Sequence, residues 1–131
     1  MKYNKEQPIY LQLMEDIKTN IINGSYSIGE RLPSIREYSK SMMVNPNTTQ
    51  RAFRELELEG FIESKTGIGY YVNEDEEDLN KLKKQYLNQE VDNFIEKMTQ
   101  LNYSNNEIIE IIKEKLWLDL MMYQRNTKMV H

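Results

Sequence analysis

The residues best suited to chemistry in this chain are small polar and basic side chains around position 50. Four of them recur at three- and four-residue steps, so on a helix they would share one face: Asn47, Gln50, Arg51 and Arg54. Thr48 and Thr49 stand at the start of the same segment, where hydroxyls and free backbone N–H groups suit phosphate oxygens. Arginine is long enough to reach a guanine edge or a phosphate. The cluster therefore predicts contact with double-stranded DNA.

Start and stop signals place this cluster on the second of two short helices. Asn45 is a good N-cap and Pro46 a good first residue for a helix that Gly60 would end. Ser34 and Glu37 have the spacing of a capping box, which predicts a shorter helix just before it. Two short helices joined by a tight connection are typical of a helix-turn-helix, whose second helix enters the major groove.

A further helix and a hairpin complete this half of the chain. Apolar residues recur every four residues from Ile9 to Ile21, which predicts an amphipathic helix of about 15 residues. Two strand-like segments flank the tetrapeptide Thr66-Gly67-Ile68-Gly69, whose glycines would allow a close approach to a minor groove or a phosphate. The pattern predicts a winged helix with its wing tip at Thr66, Gly67 and Gly69.

The residue types available for catalysis or metal binding are few. The chain of 131 residues has no cysteine, and its one histidine is the last residue, His131. No nucleophile–base set, metal-ligand spacing or phosphate loop is apparent, so neither an enzyme nor a cofactor or metal site is expected. No apolar run approaches the ~18 residues of a membrane span, so the chain is expected to be cytoplasmic without membrane contact.

The net charge of −4 is distributed unevenly along the chain. Residues 1–73 carry nine basic and nine acidic side chains, whereas residues 74–131 carry eight and twelve. Residues 39–54 include three cations and no acid. Because the local field decides where phosphate binds, the overall negative charge does not exclude DNA.

The C-terminal half has the periodicity of two amphipathic helices. Apolar residues from Leu79 to Leu101 predict one of roughly 25 residues, and a capping box from Ser104 to Glu107 begins another. The second helix is apolar on more than one face, so its surplus surface predicts a second copy of the chain, with packing onto the chain's own winged helix as the alternative. Residues 124–131 are expected to be a frayed end. The expected dimer contacts are Phe94, Met98, Ile108, Ile112, Leu116, Trp117 and Leu120.

The predicted fold class is mostly α. An N-terminal winged helix-turn-helix, with three helices and a β-hairpin wing, is expected in residues 1–73. A C-terminal two-helix dimerisation hairpin is expected in residues 74–131.

The run GERLPSIREYSKSMMVNPNTTQRAFRELELEGFIESKTGIGYYV resembles the winged-helix domain of the GntR family of bacterial transcription regulators. The resemblance covers residues 7–73, and the short helical tail is similar to that of the YtrA-type subgroup, which uses about two helices to dimerise. Many relatives carry arginine at the positions of Pro46 and Gln50, and glutamine prefers adenine. By position, the resemblance implies DNA contacts at Arg36, Asn47, Thr48, Gln50, Thr66 and Gly67.

The leading hypothesis is a dimeric, sequence-specific repressor that binds an inverted-repeat operator and, by analogy with the YtrA-type subgroup, controls transporter genes. One alternative is a sensor that binds a small-molecule effector between the C-terminal helices, near Trp117 and Tyr123. The other is a winged-helix protein-interaction module without DNA binding, which the basic, polar start of the third helix disfavours.

Overall fold

The architecture is mostly helical, as the sequence predicts. A computed structural model describes the backbone of residues 3–130 and the side chains of residues 3–127. The chain divides into two compact units, Met1–Gln85 and Tyr86–His131. This boundary lies inside a helix, twelve residues after the division expected at residues 73 and 74. The elements in chain order are α1 (Ile9–Ile22), α2 (Ile35–Met42), α3 (Pro46–Glu59), β1 (Ile62–Lys65), β2 (Gly69–Val72), α4 (Glu76–Gln100) and α5 (Asn105–Val130).

The first unit is built around the side chain of Phe53, which is fully buried at the centre of α3. The rings of Tyr38 from α2 and Tyr70 from β2 lie 5.6 and 5.1 Å from it, centroid to centroid. The apolar stripe of α1, including Leu13 and Ile17, belongs to the same core. This packing fixes α3 against the other two helices and leaves its opposite face to solvent.

The ends of α2 and α3 follow the predicted capping signals. The Ser34 hydroxyl accepts a hydrogen bond from the backbone N–H of Glu37 at 3.0 Å, as expected for the start of α2. Asn45 caps α3 by accepting from the N–H of Asn47 at 2.8 Å, and Gly60 ends it with a φ of 93°. Met43 ends α2 in the left-handed region, with a φ of 58°.

The wing is an antiparallel hairpin with Ile62 opposite Val72 and Lys65 opposite Gly69. Residues before α2 extend it, because Arg31 forms an isolated bridge with Tyr71 and the N–H of Leu32 donates to the carbonyl of Tyr70 at 2.9 Å. The hairpin was predicted, but this third, bridging segment was not.

A buried asparagine joins the end of the wing to the start of α4. The Asn73 side-chain amide donates to the Gly60 carbonyl at 3.0 Å and to the Asp78 carboxylate at 2.8 Å. Its carbonyl accepts from the N–H of Asp75 at 2.9 Å. Glu76, Glu77 and Asp78 form the first turn of α4, where the helix dipole favours negative charge.

The second unit contains the rest of α4, a turn and α5. Asn102 turns the chain with a φ of 66°. The predicted capping box is complete, because Ser104 and Glu107 exchange hydrogen bonds of 3.1 and 3.2 Å. The expectation of a frayed end is wrong for residues 124–130, which continue α5, while His131 lies outside the described residues.

Among residues 86–127, whose side chains the structure describes, burial is confined to side chains near the turn and to Tyr86, which is half-buried. Ile108 is 4% exposed, and Met98 and Ile111 are half-buried. The expectation of a dimer contact is therefore wrong for Ile108, since its side chain is already covered within one chain. The other residues expected at a dimer interface are exposed to different degrees: Phe94, Ile112, Leu116, Trp117 and Leu120.

Candidate nucleic-acid interface

One face of α3 presents four polar side chains to solvent. Asn47, Gln50, Arg51 and Arg54 are all exposed, whereas Ala52, Phe53 and Leu56 on the opposite side are buried. The helix begins at Pro46, and the side chain of Asn45 binds only one of the first N–H groups. Pro46 has no N–H, and the N–H groups of Thr48 and Thr49 both donate to the Asn45 carbonyl. It is therefore the positive end of the helix dipole that favours phosphate at this end.

The two threonines at the start of α3 have different surroundings. Thr48 is half-buried at the edge of the exposed face. Thr49 is 0% exposed, and its hydroxyl lies 2.6 Å from the hydroxyl of Ser39 on α2. The prediction of a DNA contact is therefore wrong for the Thr49 side chain, because it faces the core and fixes α3 to α2. Its spacing from Ala52, Phe53 and Leu56 places it on the apolar face of the helix, and this was the signal in the sequence that could have indicated its burial.

Arg36 stands in the first turn of α2, where the resemblance placed a DNA contact. Its side chain is exposed, and the Ser34 cap holds the turn that carries it. Lys40 is also exposed, one turn later on the same helix. The exposed cations of α2 and α3 give this surface a basic character, although residues 1–73 have a net charge of zero.

Arg51 lies against an aromatic ring rather than projecting freely. Its guanidinium carbon is 3.9 Å from the centroid of the Tyr10 ring, which belongs to the first turn of α1. Tyr10 is half-buried against the core, and its ring also supports Arg51. Ile9, Tyr10, Asn47, Thr48 and Arg51 together line a surface groove of about 370 Å³.

The wing tip has the open backbone that its glycines predict. Thr66 and Gly67 are exposed, and Gly67 has a φ of 74° with nothing within 4 Å of the place where a Cβ would stand. Gly69 has a φ of 130°. A phosphate could approach this backbone without meeting a side chain at Gly67.

Two cations at the base of the wing were not among the predicted site residues. A Cβ built on Gly69 would lie 3.6 Å from Nε of Arg31, so this arginine lies along the wing. Lys65 Nζ lies 2.7 Å from a carboxylate oxygen of Glu74 and 4.3 Å from the Tyr71 ring centroid. The hydrogen bond to Glu74 raises the pKa of Lys65. Arg31 was missed because its pairing with Tyr71 has no strand-like sequence pattern.

Other kinds of site find no support within the described residues. Among the described side chains of residues 3–127, aspartate and glutamate form no group able to hold a metal ion. None of the helices in this range has the length and apolarity to cross a membrane. The groove beside Trp117 is lined by residues of α5 alone: Glu110, Lys113, Glu114, Leu116, Trp117 and Leu120.

Comparison with known protein families gives one match that covers the winged helix. The model of the bacterial regulatory proteins, gntR family, matches residues 9–72. The chain is 32% identical over 112 residues to the uncharacterized HTH-type transcriptional regulator YhcF of Bacillus subtilis (strain 168), covering 86% of this chain and 93% of that one. It is 42% identical over 67 residues to the HTH-type transcriptional repressor YtrA of the same organism, covering 51% of this chain and 52% of that one.

Solved structures show the same similarity. A GntR family transcriptional regulator from Listeria monocytogenes superposes with a TM-score of 0.79 at 36% identity, covering 86% of this chain and 98% of that one. The DNA-binding domain of AraR, solved in complex with its operator ORR3, has a TM-score of 0.50 at 25% identity, covering 55% of this chain and 87% of that one.

Proposed function

This chain belongs to the gntR family of bacterial regulatory proteins and is a DNA-binding transcription regulator, and we propose that it acts as a dimeric, cytoplasmic repressor at an inverted-repeat operator. The winged helix would read the operator, and the helical region after it would join two copies. Transporter genes are the proposed target by analogy with the YtrA-type subgroup.

The exposed face of α3 is the observation that supports this proposal most. Gln50 and Arg51 are exposed near the start of the helix, the end that reads bases in helix-turn-helix proteins. Their side chains suit adenine and guanine edges respectively, or a phosphate in the case of Arg51. Arg36 on α2 and the glycine-containing wing tip supply further positions for phosphate contacts.

The apolar surface of α5 supports the proposal of a dimer. Seven of the eight residues from Leu116 to Tyr123 are apolar, and each of the seven is between 49% and 70% exposed. Successive residues of a helix are about 100° apart, so these side chains surround α5 on nearly every side. A helix that is apolar all round is normally buried, and a second copy related by a two-fold axis would bury it.

The proposed reading helix is tested with duplexes selected from a random library by the purified chain. An enriched inverted repeat is expected, with half-sites one or more helical turns apart. Replacing Gln50 and Arg51 together by alanine should weaken binding to that repeat by about thirtyfold or more, because each of the two base contacts contributes ~1–3 kcal/mol.

A control pair removes the same side-chain types from an exposed part of α4. Lys97→Ala with Gln100→Ala also deletes one cation and one amide, and it should leave the dissociation constant within about twofold. If the Gln50 and Arg51 variant binds the selected repeat as tightly as this control, α3 is not the reading helix. Enrichment of single, unrepeated sites would contradict a symmetric dimer on DNA.

The sensor alternative has less structural support. Trp117 is 62% exposed and Tyr123 is 70% exposed, and the groove beside Trp117 is a surface of one helix. We therefore assign this groove to the dimer interface. A change in Trp117 fluorescence on dilution of the protein would support that assignment, whereas a change only on addition of a small molecule would favour an effector site.

A further inference from the structure

We propose that Tyr10 is a positioning residue of the DNA interface, which holds the guanidinium of Arg51 against its ring so that Arg51 is ordered before DNA binds. This inference rests on the proposed function and extends it to a residue outside the helix-turn-helix. The supporting contact is the 3.9 Å separation between the Arg51 guanidinium carbon and the Tyr10 ring centroid.

The fold fixes the ring on which Arg51 lies. Tyr10 is the second residue of α1, and α1 is held in the core by Leu13 and Ile17. The Tyr10 ring packs against the same core and is half-buried. An aromatic ring has only two side-chain torsions, so a ring restrained in this way offers a nearly rigid platform at the start of α3.

The 3.9 Å separation is short enough for the guanidinium to lie face-on to the ring, which would leave the hydrogen-bonding edge of Arg51 available. A guanidinium is planar, and its five N–H groups point outward in the plane rather than toward a ring that lies against its face. Arg51 can therefore keep its contact with Tyr10 while it donates to a phosphate or to a guanine. Asn47 and Thr48 line the same groove, so the arginine is held beside two other proposed DNA contacts.

Ordering the side chain before binding improves affinity through entropy. A free arginine loses several rotamers when it contacts DNA, and this loss weakens binding. An arginine already restrained by Tyr10 loses fewer. The ammonium of a lysine has no planar face to stack, so Arg51→Lys should weaken binding even though it keeps the charge.

The test is a double-mutant cycle on DNA binding with the full chain and the selected inverted repeat. Tyr10→Leu should raise the dissociation constant about three- to tenfold, because the cation–π contact and the ordering it provides are lost. Tyr10→Phe keeps the ring and should stay within about twofold of the unmodified chain. In an Arg51→Ala background, Tyr10→Leu should have no further effect beyond about twofold.

A matched control separates positioning from general damage to the fold. Tyr26 is another half-buried tyrosine that packs against the same core, and Tyr26→Leu should leave DNA affinity unchanged at a temperature where each variant is folded. Equal weakening by Tyr10→Leu with and without Arg51, or equal weakening by Tyr26→Leu, would overturn the proposal.

A second cycle measures the same pair without DNA. In urea unfolding at a fixed protein concentration, Tyr10→Leu and Arg51→Ala should depart from additivity by about two- to fivefold in the unfolding constant. Additive effects, with normal DNA binding by the unmodified chain, would overturn this inference and leave the proposed function intact. Failure of the unmodified chain to bind any duplex would overturn both.

Discussion

At the scale of single residues, the hydroxyls of Ser39 and Thr49 form a buried polar contact between α2 and α3. They lie 2.6 Å apart, and the two residues are 3% and 0% exposed. Each hydroxyl therefore depends on the other for its hydrogen bond, and the angle between the two helices depends on both.

Removing one of these hydroxyls should destabilise the fold more than removing both. Thr49→Val leaves Ser39 without its partner and should lower the free energy of unfolding by about 1–3 kcal/mol. Ser39→Ala combined with Thr49→Val removes the pair and should recover much of that loss. Urea denaturation of Thr49→Val, Ser39→Ala and the double variant measures their free energies of unfolding. If the effects of the two single substitutions add in the double variant, the two hydroxyls are not coupled.

Met43 occupies a backbone conformation that suits glycine better. Its φ is 58°, and its side chain is 90% exposed, so little packing offsets the strain. Met43→Gly should raise the free energy of unfolding by about 0.5–1 kcal/mol, because relief of the strain exceeds the entropic cost of glycine.

A second left-handed residue provides the control for Met43. Asn102 has a φ of 66°, and asparagine tolerates this region, so Asn102→Gly should change the stability less than Met43→Gly. Thermal melts of both variants measure the difference. Lower stability for Met43→Gly would mean that its side chain makes a contact that its exposure does not reveal.

Residue types predicted the caps well and the direction of polar side chains less well. Ser34, Asn45 and Gly60 act as their types indicate because a cap is a local interaction between near neighbours. Thr49 was misassigned because a threonine can face either DNA or a buried hydroxyl from another helix. The Tyr10 contact with Arg51 was not predicted, since it joins residues 41 positions apart.

At the scale of elements, Asn73 connects three segments through one side chain. It binds the carbonyl that follows α3, the backbone N–H of Asp75 and the carboxylate of Asp78 in α4. Its own backbone N–H donates to the Phe61 carbonyl at 3.0 Å. The end of the wing and the first turn of α4 are thus held to the end of the proposed reading helix.

Asn73→Ala should therefore destabilise the winged-helix unit. Loss of the buried amide leaves the Gly60 carbonyl and the Asp75 N–H without this partner, and the free energy of unfolding should fall by about 1–3 kcal/mol. Asn80→Ala, at an exposed position of α4, is the matched control and should change it by less than about 0.5 kcal/mol. Amide hydrogen exchange at the start of α4 should become faster in Asn73→Ala and not in Asn80→Ala. Equal exchange in both variants would contradict the role of Asn73 in holding the first turn of α4.

Element boundaries were predictable wherever a local signal marks them. The predicted length of α4, roughly 25 residues, agrees with the 25 residues found, and the capping box at Ser104 starts α5. The end of α5 was not predicted, because polar residues after Tyr123 are compatible with either helix or coil. The bridge at Arg31 was also missed, since a single pair has no periodicity to detect.

At the scale of the whole molecule, the proposed dimer depends on the apolar surface of α5. Replacing both Trp117 and Leu120 by glutamate would place two charges on this surface, and burial of unpaired charge is strongly unfavourable. The variant should sediment as a monomer at concentrations where the unmodified chain is a dimer. It should also bind the inverted repeat at least tenfold more weakly, because the two half-sites are then occupied independently.

A control adds the same two charges outside the apolar stripe of α4. Asn93→Glu with Gln100→Glu changes exposed positions on the side of α4 away from Leu87, Val91 and Phe94. This variant should sediment like the unmodified chain. A dimer that survives the changes at Trp117 and Leu120 would exclude the central part of α5 from the interface.

The surplus apolar surface of α5 was predictable from sequence because apolar residues surround the helix. Which of them a single chain already covers was not predictable, and Ile108 shows the difference. Periodicity gives the face on which a residue lies, whereas the burial of Ile108 depends on how the chain folds at the turn.

If α5 joins two copies as proposed, its exposed apolar surface also makes the lifetime of this protein depend on its own abundance. A monomer exposes about two turns of apolar helix to water, from Leu116 to Tyr123. Surfaces of this kind are what proteases and aggregation act upon. Scarce copies would then be cleared faster than plentiful ones, so promoter occupancy should rise more steeply than synthesis, and pulse-chase half-lives at low and high expression would measure it.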